Sequence, residues 1–294
     1  MPSSATLPLR HALLALAVVA VWGTNFVVIK VGLAHLPPLL FATLRFTFAF
    51  LPAALFIKRP AMRWRTLAIY GVFIGLGQFG MLYIAMNGHI SPGLASLVVQ
   101  TQVVFTIGLS MRLTGEKVAP FQYVALALAA AGLAVIGFNA GADATPIGIV
   151  LVLIAAASWA GGNMVARGAP GVNMLAFVVW ASLFSIPPLL GLSLVVEGWP
   201  AIARGLTGAT TVTWAAVLWQ SVGNTLFGYA AWGWLLARHP AATITPVAVL
   251  VPVFGIGAAV LLLGEALQPW KLAAAALVLC GLALNTLWPR RFAR

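Results

Sequence analysis

Long apolar stretches separated by short polar or Pro/Gly-rich breaks dominate this chain of 294 residues. The stretches Leu13–Ala20, Val150–Ala157 and Ala273–Leu284 contain no charged residue. A helix that spans a membrane needs about 20 consecutive, mostly apolar residues. The pattern predicts ten such helices, at residues 12–34, 37–57, 66–86, 92–112, 119–138, 146–167, 173–195, 211–236, 240–263 and 268–288. Only the connection over residues 196–210 is long.

The composition shows which solvent surrounds these helices. Apolar residues make up 62% of the chain, charged residues 7%, and the mean hydropathy is +1.05. A soluble domain usually carries about 25% charged residues. Inside lipid, backbone groups need internal partners, which leaves helices or closed barrels, and barrel strands would alternate apolar and polar residues. The unbroken apolar runs therefore predict an all-α integral membrane protein of ten transmembrane helices.

The formal charge of +12 indicates how the chain is oriented. If the predicted helices alternate in direction, only Arg204 and Lys271 fall on one side. The other side receives Arg10, Lys58, Arg59, Arg63, Arg65, Arg112, Lys117, Arg167, Arg238, Arg290, Arg291 and Arg294. Basic loops remain in the cytoplasm. We therefore predict cytoplasmic N- and C-termini in an inner or plasma membrane, with no nucleic-acid partner, since no basic stripe lies on a polar surface.

An internal repeat divides the chain into two parts. The segment Leu113–Glu116 recurs 149 residues later as Leu262–Glu265, and Trp22-Gly23 corresponds to Trp159-Ala160. Each part, residues 1–142 and 143–294, would hold five helices. Because five is odd, the two parts should have opposite orientations, and a substrate site is then expected near the membrane midplane between them.

These landmarks resemble the drug/metabolite transporter superfamily, in its EamA-type branch of ten-helix transporters. The resemblance rests on Trp22–Phe26, Pro38 through Arg45-Phe46, the Gly-Glu helix ends and Thr245-Pro246 through Val253. Val103 departs from it, since the second half has Pro252 there. Length and aromatic content are similar to YddG-type aromatic amino-acid exporters. The resemblance implies a central cavity lined by helices one, three, four, six, eight and nine, with five and ten outside.

The sequence offers no cluster of residues that could carry out catalysis. The acids Glu116, Asp143, Glu197 and Glu265 and the four histidines fall in loops or near helix ends, and Cys280 stands alone in an apolar stretch. No metal site, cofactor or acid/base pair is therefore predicted, and the chain is not expected to be an enzyme. Proton-coupled carriers keep an ionisable residue inside the membrane. The absence of a buried carboxylate predicts facilitated export without ion coupling.

Uncharged polar and aromatic residues at helical spacing are the candidates for binding a substrate. Trp22 with Asn25, and Trp159 with Asn163, share helix faces in the two repeats. The remaining candidates are Tyr83, Gln100, Gln220, Asn224, Phe227 and Trp232. Amides can satisfy an ammonium and a carboxylate group, while rings stack on an apolar side chain. Such residues also form ordinary interhelical hydrogen bonds.

A second group of residues is predicted to shape the helices. Gly115-Glu116 and Gly264-Glu265 are interpreted as helix terminators, with glycine in the left-handed conformation and glutamate among the lipid headgroups. Pro246 and Pro252 interrupt the ninth helix and could allow it to bend. Arg45 is interpreted as a structural or snorkelling residue of a peripheral helix.

The resulting hypothesis is a membrane transporter that exports amino acids, aromatic and other apolar or neutral ones, by alternating access. Two alternatives remain open: export of another small neutral metabolite or drug, and a non-transporting membrane scaffold or assembly protein. The expected partners are the small-molecule substrate and the lipid bilayer. The sequence does not define an oligomeric state, and a monomer is compatible with it.

Overall fold

The computed structural model describes residues 7–114, 119–139, 141, 143–169, 171–239 and 241–287. Within these ranges the chain is helical, and the only β contact is an isolated bridge between Ile90 and Ala144. The main helices are α1 Leu9–Gly32, α2 Pro38–Ala54, α3 Trp64–Met86, α4 Pro92–Leu113, α5 Pro120–Asn139, α6 Pro146–Arg167, α7 Met174–Glu197, α8 over residues 211–238, α9 Thr245–Leu263 and α10 Pro269–Leu287.

Most of these helices are suited to cross a membrane. Eight are long and apolar enough by length and composition, while α2 is apolar but has 17 residues. The helix α8 is longer, but polar residues from Gln220 to Thr225 lower its hydropathy. The predicted all-α membrane fold is confirmed, with helix bounds within a few residues of those expected from the apolar pattern.

The long connection between α7 and α8 is itself partly helical, which the sequence pattern did not predict. A short helix covers Trp199–Gly208, with Pro200 in its first turn, where proline suits a helix start. Ile202 and Gly205 are buried. A Cβ atom added to Gly205 would lie 2.7 Å from a ring carbon of Pro37, so this helix packs on the start of α2.

The helices pack in pairs that correspond between the two parts of the chain. Helix α1 packs against α8 and α9, and α6 packs against α3 and α4. Helix α2 packs against α7, and α5 against α10. The last contact is close because it uses glycines: a Cβ on Gly132 would lie 2.7 Å from Val278, and one on Gly281 would lie 2.8 Å from the carbonyl oxygen of Ala125.

Departures from regular α-helix also occur at corresponding places. Helix α3 is a π-helix over Val72–Gly80, and α8 is one over Trp219–Phe227. A 3₁₀ segment occurs at Val99–Thr101 in α4 and at Thr245–Leu250 in α9. Such irregular stretches are frequent at functional sites.

The causes of the two 3₁₀ segments differ. In α9, Pro246 lies inside the segment and Pro252 starts the α-helix that follows, because proline cannot donate to the preceding turn. In α4 no proline occupies the place of Pro252. There the hydroxyl groups of Ser96 and Thr101 donate to the carbonyl oxygens of Gly93 and Val98. Side-chain bonds of this kind bend helices.

Each end of the helix bundle has its own charge. The start of α1 and the ends of α4, α6 and α8 carry Arg10, Arg112, Arg167 and Arg238, and we call this the basic end. The opposite end holds the three described acids, Asp143, Glu197 and Glu265, together with Lys30, Arg204 and Lys271, and we call it the acidic end because the described carboxylates lie there.

At the acidic end, two carboxylates form hydrogen bonds that link neighbouring helices. Glu197 accepts hydrogen bonds from the backbone N–H groups of Leu39 (2.6 Å) and Leu40 (3.1 Å), at the start of α2. Glu265 accepts from Ser91 Oγ at 3.0 Å and from Gly93 N–H at 3.2 Å, at the start of α4. A carboxylate there satisfies orphan donors and the positive end of the helix dipole.

The predicted Gly-Glu helix ends have separate outcomes. Gly264 ends α9 in the left-handed conformation, with φ of +68°. The Glu265 carboxylate accepts hydrogen bonds from protein donors at the start of α4, and its position among the lipid headgroups stays a prediction. Gly115 and Glu116 lie outside the described residues.

Candidate substrate site

A buried arginine organises a polar network between α2, α3 and α8. Arg45 Nη1 donates to Gln220 Oε1 at 2.9 Å and to the Tyr83 hydroxyl at 3.2 Å. Arg45 Nη2 donates to Asn224 Oδ1 at 2.8 Å and to Thr225 Oγ1 at 3.1 Å. The Tyr83 hydroxyl donates to the same Gln220 Oε1 at 2.9 Å. Three residues predicted from sequence, Tyr83, Gln220 and Asn224, therefore meet around one cation.

The guanidinium group of Arg45 is enclosed from every side. Its exposed fraction is 1%, and its Cζ lies 3.5 Å from the ring centroid of Phe79. Ser221 Oγ donates to the Arg45 carbonyl oxygen at 3.0 Å, which joins the backbone of α2 to α8. Arg45 lies seven residues into α2, or roughly 10 Å from its start at 1.5 Å per residue. The group is thus well inside the apolar thickness of the bundle.

The interpretation of Arg45 as a peripheral, snorkelling residue is wrong. A snorkelling arginine extends its charged group towards water. Here α2 packs against α3, α7 and α8, so the long side chain is directed inward and its charge is stabilised by neutral oxygen atoms. The sequence signal was present, because a charged residue in an apolar helix is a functional hypothesis by default.

An aromatic cluster adjoins this network on the side of α1. Trp22 Nε1 donates to the backbone carbonyl oxygen of Asn224 at 3.2 Å. Its ring centroid lies 5.2 Å from that of Trp232 and 5.8 Å from that of Tyr229. The predicted residues Trp22 and Trp232 are therefore neighbours of the polar network. Tyr229, one turn before Trp232 in α8, completes the cluster.

Phe227 makes none of the hydrogen bonds or ring contacts described above. It was selected because Gln220, Asn224 and Phe227 recur at α-helical spacing, but its side chain is 39% exposed, whereas Gln220 and Asn224 are buried. The segment Trp219–Phe227 is a π-helix, in which hydrogen bonds join residues five apart. The wider turn rotates Phe227 away from the face of Gln220 and Asn224.

A cavity lies at the basic end, apart from the Arg45 network. Its volume is about 300 Å³, at the lower limit of the roughly 300–1,000 Å³ typical of ligand pockets. Within it, Asn163 Nδ2 donates to Gln102 Oε1 at 3.0 Å, and Arg167 donates to Ser110 Oγ at 2.8 Å. Its polar lining residues are Gln102, Thr106, Ser110, Gln122, Asn163, Arg167 and Asn285.

The lining of this cavity differs from the arrangement that the resemblance implied. Its residues come from α4, α5, α6 and α10, whereas helices five and ten were expected to lie outside. Gln122 of α5 donates to Asn285 Oδ1 of α10 at 3.4 Å, so the α5–α10 pair closes one side of the cavity. Of the ten residues predicted to bind substrate, only Asn163 lines it.

The remaining predicted residues have individual surroundings. Asn25 is 4% exposed, and its Oδ1 has no hydrogen-bond partner among the described residues. Gln100 is buried in the 3₁₀ segment of α4, and Trp159 is half-buried against the main hydrophobic core. The two Trp–Asn pairs thus do not lie in equivalent environments, although they occupy corresponding positions in sequence.

The ionisable groups of the described residues are dispersed. Among the described residues, no group of three or more His, Cys, Asp or Glu side chains lies close enough to hold a metal ion. The three acids in the described ranges lie at the acidic end. The arrangement consists of neutral hydrogen-bonding groups, aromatic rings and one enclosed cation, which suits binding and passage of a solute.

Comparisons with known proteins place these features in a class of helical membrane transporters. The model of the EamA-like transporter family matches residues 9–138 and again 146–287. The chain belongs to this family, within the drug/metabolite transporter superfamily, so the predicted family is confirmed and so is the prediction that the chain is not an enzyme.

Relatives with descriptive names come from several bacteria. The chain is 40% identical to a "Probable amino-acid metabolite efflux pump" of Salmonella typhimurium and 37% identical to a protein of the same name from Escherichia coli, each over 94% of both chains. It is 28% identical to a "Probable terminal-alkyne amino-acid exporter" of Streptantibioticus cattleyicolor, over 93% of both chains.

One solved structure supports the fold alone. It is described as "Crystal structure of protein" and is similar with a TM-score of 0.63 and 19% identity. The match covers 97% of this chain and 99% of that one. The chain is thus a multi-pass membrane protein of a transporter family, and the three relatives above bear names that refer to amino-acid efflux or export.

Proposed function

We propose that this protein exports neutral amino acids, with aromatic and other apolar ones favoured, by alternating access and without ion coupling. The observation that carries the proposal is the Arg45 network, which joins α2 and α3 of the first half to α8 of the second. A polar site between two halves is where an alternating-access transporter holds its substrate. The names of the relatives, with amino-acid efflux in common, support the substrate class.

The proposed halves are residues 1–142 and 143–294, each of five helices and inverted relative to one another. The family matches residues 9–138 and 146–287 in turn, which supports this division. The contacts of α1 with α8 and α9 correspond to those of α6 with α3 and α4, as a twofold axis in the membrane plane would require. The corresponding π-helical segments in α3 and α8 support it further.

The direction of opening follows from the two ends. The acidic end is fastened by Glu197, Glu265 and the ion pair of Lys271 with Asp143 (3.1 Å), whereas the cavity lies at the basic end. We assign the basic end, and with it both termini, to the cytoplasm of the inner membrane, because cytoplasmic loops retain Lys and Arg. The described conformation is then the one that accepts solute from the cytoplasm.

Facilitated export fits the charges of the site. A carrier driven by protons or sodium ions needs an ionisable or anionic group that changes its state inside the membrane. In the described part of the chain, the acids Asp143, Glu197 and Glu265 lie at the acidic end and bond to protein donors there. The concentration gradient of the amino acid itself would therefore drive export.

The test is uptake of labelled tryptophan, phenylalanine, threonine and glutamate into proteoliposomes without any ion gradient. We expect the neutral amino acids to equilibrate and glutamate to remain outside. Asn224→Ala should slow uptake at least ~10-fold, the equivalent of about 1.4 kcal/mol. Phe227→Ala is the matched control, because it truncates an exposed side chain of the same helix.

Three results would count against parts of this proposal. An absence of flux for every amino acid would remove the substrate class and direct attention to other neutral metabolites or drugs. A rate that rises steeply with an imposed proton gradient would remove the facilitative mechanism. Equal rates for Asn224→Ala and the wild type would move the substrate site away from the Arg45 network.

A further inference from the structure

We infer that Arg45 binds the carboxylate group of the transported amino acid. This inference rests on the proposed function and specifies which atoms of the substrate the site recognises. The inference starts from the charge of Arg45, which is enclosed in the bundle. Each of its two terminal nitrogen atoms donates to one hydroxyl group and one amide oxygen, and all four acceptors are neutral. Dipoles solvate the cation but do not neutralise it.

No carboxylate of the described chain reaches this cation. Asp143 pairs with Lys271, Glu197 bonds to the start of α2, and Glu265 bonds to the start of α4, all at the acidic end. Buried charges in proteins are normally paired. An arginine in a transmembrane helix without an acidic partner among the described residues points to the substrate as the source of its counter-ion.

Two unsatisfied donors mark where that counter-ion would bind. Arg45 Nε and Gln220 Nε2 are buried nitrogen atoms without a hydrogen-bond partner in the part of the chain that the structure describes, and Gln220 is 0% exposed. Both belong to side chains that already meet through Gln220 Oε1. A carboxylate has two oxygen atoms that accept in parallel, which suits the fork of a guanidinium group together with a neighbouring amide.

The aromatic residues around the network complete an amino-acid site. Phe79 covers one face of the Arg45 guanidinium group at 3.5 Å. Trp22 is attached to the backbone of Asn224 and forms the cluster with Tyr229 and Trp232. With the carboxylate on Arg45, the rings of this cluster would offer faces for the ammonium group and an apolar side chain.

Access to Arg45 requires a movement of α8. In the described conformation the guanidinium group is closed in by Gln220, Asn224 and Thr225, and the cavity lies nearer the basic end. These three residues lie in the π-helical segment of α8, whose wide turn is a less regular hydrogen-bonding arrangement than the α-helix around it. Exchange of the neutral acceptors for a carboxylate would couple substrate binding to the position of α8.

The experiment compares amino acids with their amino alcohols, which retain the ammonium group and side chain but lack the carboxylate. Proteoliposomes take up labelled phenylalanine, leucine or threonine in the presence of excess unlabelled phenylalanine, phenylalaninol, leucine, leucinol, threonine or threoninol. We expect each transported amino acid to be displaced by its own unlabelled form. Its amino alcohol should compete at least ~10-fold less well, as loss of about 1.4 kcal/mol implies.

Variants of Arg45 provide the second arm. Arg45→Gln should lower amino-acid uptake at least ~10-fold, and Arg45→Lys, which retains the charge but not the fork, should retain part of the rate. Arg204→Gln is the matched control, because it makes the same chemical change on an exposed side chain of the short helix Trp199–Gly208. Monodispersity in detergent is checked for each variant.

The outcomes separate this inference from the proposed function. Amino alcohols that compete as well as amino acids, while amino-acid uptake itself is intact, would overturn the role of Arg45 and leave amino-acid export standing. Absence of uptake for all amino acids would overturn both. If Arg45→Gln does not fold, the competition experiment on the wild-type protein still decides the question.

Discussion

Helices α3 and α8 have the same backbone irregularity, but of the two irregular segments only that of α8 supplies hydrogen-bond acceptors to Arg45. Both are π-helical, over Val72–Gly80 and Trp219–Phe227. The segment of α8 surrounds Arg45 with Gln220, Asn224 and Thr225. The segment of α3 instead supplies glycines for close helix packing. A Cβ on Gly75 would overlap Ser185 of α7, and one on Gly77 would lie 2.5 Å from Ser158 Oγ of α6.

The neighbouring helices account for this difference. Helix α2 places the large cationic side chain of Arg45 beside α8, whereas α7 places serines beside α3. Ser185 Oγ donates to the carbonyl oxygen of Gly71 at 2.8 Å, so a small hydroxyl group satisfies itself on the backbone. An arginine needs side-chain acceptors, which the amides of α8 provide. The comparison shows that α3 and α8 share a backbone geometry but differ in the chemistry of the side chains around it.

The largest difference in the free energy of unfolding should be seen between variants of the two buried glutamines, one in each π-helical segment. Gln220→Leu leaves donors of Arg45 and Tyr83 without an acceptor, which should lower the free energy of unfolding by about 3 kcal/mol. Gln78→Leu should leave the free energy of unfolding nearly unchanged, since Gln78 Oε1 is buried without a hydrogen-bond partner among the described residues. Denaturation in detergent measures both. Equal losses for the two variants would show that the network around Arg45 contributes no more than general packing.

The glycines of α3 provide the next test. Gly75→Ala should cost about 2 kcal/mol, because the added methyl group would overlap Ser185 and separate α3 from α7. Gly108→Ala in α4 is the matched control, since a Cβ there meets no atom within 4 Å. Thermal unfolding in detergent should rank the variants in this order. A stable Gly75→Ala protein would contradict the close packing of α3.

The tryptophans Trp22 and Trp159 allow a comparison with a smaller effect. Trp22→Phe retains a ring but loses the hydrogen bond to the Asn224 carbonyl oxygen, a change of about 1 kcal/mol, or roughly fivefold in uptake. Trp159 makes no hydrogen bond with its side chain among the described residues. Uptake by Trp159→Phe should therefore match the wild type. A similar loss in both variants would favour equivalent roles in the two halves.

The smallest effect is expected on the exposed face of α8. Phe227→Ala should change the free energy of unfolding by no more than about 0.5 kcal/mol, as for surface substitutions, and should leave uptake unchanged. Uptake measurements beside Asn224→Ala check this. Strongly reduced transport by Phe227→Ala would instead support Phe227 as a substrate-binding residue, as its α-helical spacing from Gln220 and Asn224 had predicted.

Much of the architecture could be predicted because hydropathy is a local property. Apolar runs such as Leu13–Ala20 require lipid around them, and proline and glycine mark most of the breaks. The number of basic residues on each side of the predicted helices was enough to predict the orientation of the chain in the membrane. The short helix Trp199–Gly208 was missed because it is too brief and too polar to resemble a membrane span.

The candidate site could be predicted only in part. Tyr83, Gln220 and Asn224 were selected as polar residues of apolar helices, but nothing in the sequence showed that they share a partner 38, 175 or 179 residues away. Phe227 was selected on α-helical spacing, but it lies in a π-helical segment and is 39% exposed, so its role in binding stays a prediction. Pattern rules assume regular helices, so they fail where the backbone departs from regularity.

The sequence by itself determined that this chain is a helical membrane protein of the EamA-like transporter family, because apolar length and short motifs are read within a few turns of helix. Only the tertiary structure decided that Arg45 faces inward and that the cavity involves α5 and α10. Those features depend on the rotation of each helix about its axis and on which helices become neighbours. Both are set by packing between residues far apart in the chain, where glycines, serines and a buried cation select the partners.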